Sequence, residues 1–104
     1  MYATLTTTRG TTENMLETAA VVGEALHRWL GEIEGFKGMV MFCNEETGTT
    51  QLLSLWESRE VADRHERARL QFRDRITATV DVEVEATVGY DVVYADVEAH
   101  QHGV

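Results

Sequence analysis

The sequence predicts an α+β fold in the order β-α-β-β-α-β, the split-βαβ or ferredoxin-like arrangement. Three observations predict it. Four β-type runs occur as strand, hairpin and strand, separated by helical stretches. Two of the intervening stretches carry apolar residues at three-to-four spacing. The two middle strands are apolar on both faces, so helices on one side leave a second face to be covered.

The first run, "YATLTTT" at residues 2–8, is short and β-branched and reads as a strand. "RGTTE" follows as a turn, with Thr11 or Thr12 as helix N-cap. A helix is predicted from Glu13 to Glu32. Met15, Ala19, Val22, Leu26, Trp29, Leu30 and Ile33 form its apolar stripe, and Gly35 is its stop. "FKGMVMFC", Phe36 to Cys43, is the second strand, and "NEETGTT" supplies a hairpin turn around Gly48. "QLLSLW", Gln51 to Trp56, returns as the third strand. Ser58 caps a second helix running to about Ile76, with Val61, His65, Ala68, Phe72 and Ile76 on its apolar line. From Val82 to Asp96 the chain alternates, which predicts a last strand with Val82, Val84, Ala86, Val88, Tyr90, Val92 and Tyr94 on one face.

Right-handed crossovers put both helices on one face of the sheet. Met39, Met41 and Cys43 then oppose Val40 and Phe42, and Leu53 and Leu55 oppose Leu52 and Trp56. One set packs on the helices. The other has no element left to cover it, and the last strand pattern is overlong against the usual ~5–6 residues. Both features predict a homodimer with two sheets face to face.

The 104 residues suit a single domain, read here as residues 1–96 with a C-terminal tail at 97–104. The chain has no proline, no linker-like stretch and no repeat. A net charge of −9 argues against nucleic acid and anionic membranes as partners, because both select basic surface. The first ten residues lack the charged and apolar regions of a signal peptide, so a cytoplasmic location is expected. Cys43 is the single cysteine, in an apolar strand, and reads as an inert buried thiol.

The element order, "GFKGMVMF" ahead of a hairpin, and "LLSLWES" leading into a helix resemble the antibiotic biosynthesis monooxygenase-like superfamily. The resemblance spans roughly Tyr2 to Tyr94, and Trp56-Glu57-Ser58 is its most specific element. It implies a dimeric α/β barrel. Cofactor-free oxidation of aromatic polyketides, haem degradation and isomerisation of small metabolites are all associated with such proteins. The haem-degrading branch has a second tryptophan where His65 stands, a ligating histidine where Arg75 stands, and a first-strand asparagine aligned with Ala3. The chain departs at all three positions, which argues against haem degradation, although His65 could ligate an iron.

His65 is the first candidate site residue. On a continuous helix it lies within ~40° of Val61 and ~20° of Phe72, facing the sheet. A half-buried imidazole there could take a proton from a phenol or enol; the alternative is a hydrogen-bonded core histidine. Trp56 and Phe72 could shape a pocket or simply fill the core. Six arginines crowd the second helix, interleaved with acids at the i,i+4 spacings Glu60–Arg64 and Asp63–Arg67, as on a solvated, ion-paired face. Arg69 flanks the apolar line and is the one that could reach a ligand. Trp29 reads as packing, His27 as surface, and His100 and His102 as a weak metal-binding pair at most.

The resemblance and these residues together point to a cofactor-independent monooxygenase acting on a small phenol- or quinol-like aromatic. His65 would be the base, Trp56, Phe72 and Arg69 would bind substrate, and no cofactor or metal is expected. A non-catalytic dimer binding a small metabolite, and an isomerase or cyclase on the same fold, are the alternatives.

Overall fold

The computed structural model describes residues 1–10 and 13–97. The N-cap expected at Thr11 or Thr12, and His100 and His102, lie outside the described residues. The elements are β1 (Tyr2–Arg9), α1 (Met15–Leu30), β2 (Phe36–Asn44), β3 (Thr49–Trp56), α2 (Arg59–Arg64), α3 (Glu66–Val80) and β4 (Glu83–Asp91). The four strands form one sheet in the order β2-β3-β1-β4, with every neighbouring pair antiparallel. This is the predicted ferredoxin-like arrangement.

The core is Leu26 and Leu30 of α1, Trp56 of β3, and Val61 and Ala62 of α2, with Trp29, Phe36 and Phe72 packed around it. Burying a leucine of this kind stabilises by roughly 1.5–3 kcal/mol. Ser58 caps α2 as expected, its Oγ accepting from the Val61 N–H at 3.3 Å. Helix α1 ends at Leu30, and Gly31, Glu32 and Ile33 close its last carbonyls. Gly35 then turns the chain into β2 at φ +95°, a left-handed backbone that favours glycine.

Three details differ from the sequence reading. The second helix is broken: α2 ends and α3 begins at His65, whose φ of −104° and ψ of 8° leave the helical well. The last strand stops at Asp91. Its ladder ends where the Val92 N–H donates to the Met1 carbonyl at 3.0 Å. Val93 and Tyr94 then leave the sheet, 96% and 83% exposed. Finally, β4 bulges. Thr7 pairs with Ala86 but Thr8 pairs with Val84, so one extra residue flips the alternation. Val82 and Val84 therefore fall on the helix side, while Ala86, Val88 and Tyr90 fall on the open side.

The open face is apolar in register. Val40, Leu53, Leu5 and Val88 form one cross-strand row. Phe42 and Tyr90 flank it, 46% and 49% exposed.

Candidate active site

Between the sheet, α1 and α3 lies a cavity of about 150 Å³. Its apolar walls include Leu26, Trp29 and Leu30 from α1, and Phe72 and Ile76 from α3. An apolar cavity of this size accepts an aromatic ring. Its floor is different. Thr4, Thr6 and Thr8 of β1, Thr50 and Ser54 of β3, and Thr87 of β4 all line it. The alternation in "YATLTTT" produces this floor: Ala3 and Leu5 point to the open face, and the threonines between them point inward. Valine would be the ordinary choice at such half-buried strand positions.

The hydroxyls are held in a definite pattern. The Trp56 indole Nε1–H donates to Thr4 Oγ1 at 3.1 Å. Arg73 Nη1 donates to Thr87 Oγ1 at 2.8 Å, and Thr87 Oγ1 lies 3.2 Å from Thr6 Oγ1. Thr8 Oγ1 donates to the Thr50 carbonyl at 3.4 Å. Arg73 is anchored on its other side by Asp74 Oδ1.

Arg69 is the second cation of the wall. Its guanidinium carbon stands 4.9 Å from the centre of the Trp56 ring. Its Nη2 donates to the Ala62 carbonyl at 2.7 Å, where a continuous helix would use the Glu66 N–H. The side chain thus closes the break at His65. Its Nε–H is buried and has no hydrogen-bond partner among the described residues. Burial pushes the Arg69 pKa below its ordinary value, and the charges of Glu66, Asp63 and Tyr2 only partly offset this. Arg69 borders the cavity, so its guanidinium places positive charge beside that space.

Of the residues expected at the site, Arg69 and Phe72 line the cavity. Phe72 stacks on Trp29 with centroids 4.7 Å apart and planes at 5°. Trp56 is fully buried and is not among the lining residues; it acts on the cavity through Thr4 and Arg69. His65 lies elsewhere, in a shallow hollow with Trp29, Glu32, Ile33, Glu34 and Arg64. The helical-wheel placement assumed an unbroken helix, and the break at His65 itself removes that assumption. The arginine face pairs as Arg59–Asp63 at 3.5 Å and Arg73–Asp74 at 2.8 Å. Among the described residues, the expected Glu60–Arg64 and Asp63–Arg67 pairs do not form. Arg73 and the threonine floor were missed, although threonines alternating with Ala3 and Leu5 on an otherwise core-facing strand were a readable signal.

No family sequence model matches the chain, and no curated protein matches it. Solved structures do. A monooxygenase from the gene ActVA-Orf6 of Streptomyces coelicolor, in complex with nanaomycin D, superposes with a TM-score of 0.67 at 10% identity, over 94% of this chain and 92% of its own. A Nitrosomonas europaea protein provisionally named an antibiotic biosynthesis monooxygenase gives 0.64 at 18% identity, over 90% and 100%. A Deinococcus radiodurans protein under the same provisional name gives 0.63 at 12%, over 96% and 100%. The chain has the ferredoxin-like fold of antibiotic biosynthesis monooxygenase-like proteins.

Proposed function

We propose that the protein is a cofactor-independent monooxygenase oxidising a small phenol- or quinol-like aromatic in the cavity between helices and sheet. The observation that carries the reading is a ring-sized space with apolar walls from α1 and α3 and a hydroxyl floor, bordered by the cations Arg69 and Arg73. The Streptomyces monooxygenase of the same fold holds the ligand nanaomycin D, which supports an aromatic occupant here. In the reaction the phenol loses its proton to give an electron-rich phenolate. That anion passes electrons to molecular oxygen and forms a ring C–O bond, giving a hydroperoxide. Loss of the ring proton with O–O cleavage releases water and leaves a quinone. The chain supplies a dry space and donors for the anion. Incubation of 1-naphthol with the protein and isotopically labelled oxygen tests this. Oxygen uptake with one labelled atom in the quinone is expected; no uptake above the protein-free rate refutes the activity.

The absence of an imidazole or thiol among the described lining residues, with Glu13 the one carboxylate, favours a second reading: a carrier that binds the aromatic without turning it over. Binding of 1-naphthol without oxygen uptake would establish it.

We also propose that the active species is a homodimer with the open sheet faces packed together. The row Val40–Leu53–Leu5–Val88 supports it, since an aligned apolar face of this kind is normally covered. Sedimentation at micromolar concentration should give a dimer, and Val88→Arg should give a monomer. A wild-type monomer would overturn the arrangement.

A further inference from the structure

We infer that Val82, seated on Gly10, forms the mouth of the cavity and sets the thickness of the ligand that can enter. The inference rests on the reading of the cavity as an aromatic site and deepens it by naming the residue that selects among aromatics.

The cavity has a direction. The chain follows its floor from Thr4 to Gly10, a stretch of roughly 20 Å in extended backbone. At one end the lining residues Thr4, Ser54, Leu26 and Leu30 are all buried. This end is blind, because Leu26 and Leu30 pack with Trp56 in the core. At the other end Gly10, Thr77, Val80 and Val82 are half-buried, and Glu13 is the one exposed residue of the described lining. Here α1 begins and α3 ends, so the helices give way to turns. A ligand therefore enters from this end and travels along β1 toward Thr4.

Two features put Val82 at the opening. The bulge beside Thr8 turns Val82 and Val84 to the helix side, and of the two Val82 lines the cavity. Gly10 then lets it approach. A Cβ at Gly10 would lie 2.5 Å from Val82 Cγ1 and 3.2 Å from Val82 Cβ, so the valine rests on the glycine backbone. That backbone is fixed in turn, since the Gly10 N–H donates to the Gly48 carbonyl at 3.0 Å. Valine is stiff at χ1 and cannot swing aside as a leucine or methionine could. Met15 and Thr18 of α1 also line this end of the cavity. An opening with a fixed wall passes a flat ring system and holds back a thicker one. A valine that merely filled the core would have no bearing on how fast a ligand arrives.

The probes are 1-naphthol, which is planar, and 2-phenylphenol, whose two rings are twisted and so present a greater thickness. Stopped-flow fluorescence reads association and dissociation of each. Wild type should take up 1-naphthol faster than 2-phenylphenol. Val82→Ala should raise both rates for 2-phenylphenol by about tenfold or more, the scale on which a lost methylene changes discrimination. Its Kd should stay nearly the same, and the rates for 1-naphthol should change little. Gly10→Ala drives Val82 into the opening and should slow both ligands, and Val82→Ala added to it should reverse the slowing. A structural role alone would move Kd or the thermal midpoint without moving the two rates together. Equal changes for both ligands, unchanged rates, or a changed Kd at unchanged association rate would each overturn the inference and leave the aromatic reading standing. If neither ligand binds wild type, both fail.

Discussion

The guanidinium of Arg69 lies over the face of Trp56 at 4.9 Å while the edge of the same indole donates to Thr4. Trp56 is not among the residues that line the cavity, yet it holds two of them, Thr4 and Arg69. The three-residue signature Trp56-Glu57-Ser58 thus has two effects. Ser58 starts α2, and Trp56 orients a cation and donates to a hydroxyl. The packing role and the site role of this residue are one arrangement.

Thr4→Val tests the first half of that arrangement. It leaves the Trp56 N–H buried and unpaired, because Trp56 is 0% exposed. An orphaned buried donor costs about 1–3 kcal/mol. Urea unfolding should show a loss in that range for Thr4→Val and a much smaller one for Thr4→Ser. Equal losses in both would mean that the hydrogen bond is not what Thr4 contributes.

Arg69 tests the second half. Burial lowers its pKa, so the charged form is a net cost to folding at every pH where it stays protonated. Its planar fork offsets that cost through Trp56 and Ala62. Lysine would keep the buried charge and lose the fork, so Arg69→Lys should be less stable than Arg69→Met. The sign with pH follows. A lysine whose folded pKa is depressed binds fewer protons folded than unfolded, so its stability should rise with pH as the solution approaches its unfolded value of about 10.4. Arg69→Met should show no such rise. Denaturant titrations of the two variants across the alkaline range measure the difference, and parallel curves would contradict it.

Gly35 holds the entry to β2. A Cβ there would sit 2.7 Å from Val61 Cγ1, on a backbone at φ +95°. Gly35→Ala should therefore destabilise by about 1–3 kcal/mol, combining strain with overpacking against the core. Adding Val61→Ala removes the clash and leaves the strain. The double variant should lose less than the sum of the two single losses, as a double-mutant cycle on thermal or urea unfolding would read.

The fold was legible because its signals are periodic. The apolar stripe ending in Leu26 and Leu30, the hairpin at Gly48 and the cap at Ser58 each follow from local spacing. The open face was legible too, since Val40 and Phe42 alternate with Met39 and Met41. What escaped were departures from period. The bulge beside Thr8 and Val84 turns half of β4 over, and no composition marks it. The break at His65 lies in a run, "DRHERAR", with no glycine or proline; there the Arg69 side chain bonds the Ala62 carbonyl, a contact that no helical period marks. The threonine floor was visible in the letters of β1. Its meaning required knowing which face the helices cover.

His65 and Phe72 separate the pocket expected from a helical wheel from the cavity in the structure. Both sit on the apolar line of a single continuous helix, so that geometry assigns them to one pocket. The break assigns only Phe72 to the cavity, stacked on Trp29 at 4.7 Å. Phe72→Ala should open the cavity and weaken 1-naphthol binding, and loss of the stacked pair alone removes about 0.5–1.5 kcal/mol. His65→Ala should leave both binding and any oxidation of 1-naphthol essentially as in the wild type. A histidine acting as general base would instead cost ~10²–10⁴-fold in rate. Steady-state oxygen uptake by the two variants decides between them. A large loss confined to His65→Ala, with 1-naphthol binding unchanged, would return proton removal to the imidazole. It would also require the hollow beside Trp29 to join the cavity when substrate is bound, because among the described residues Trp29 alone borders both.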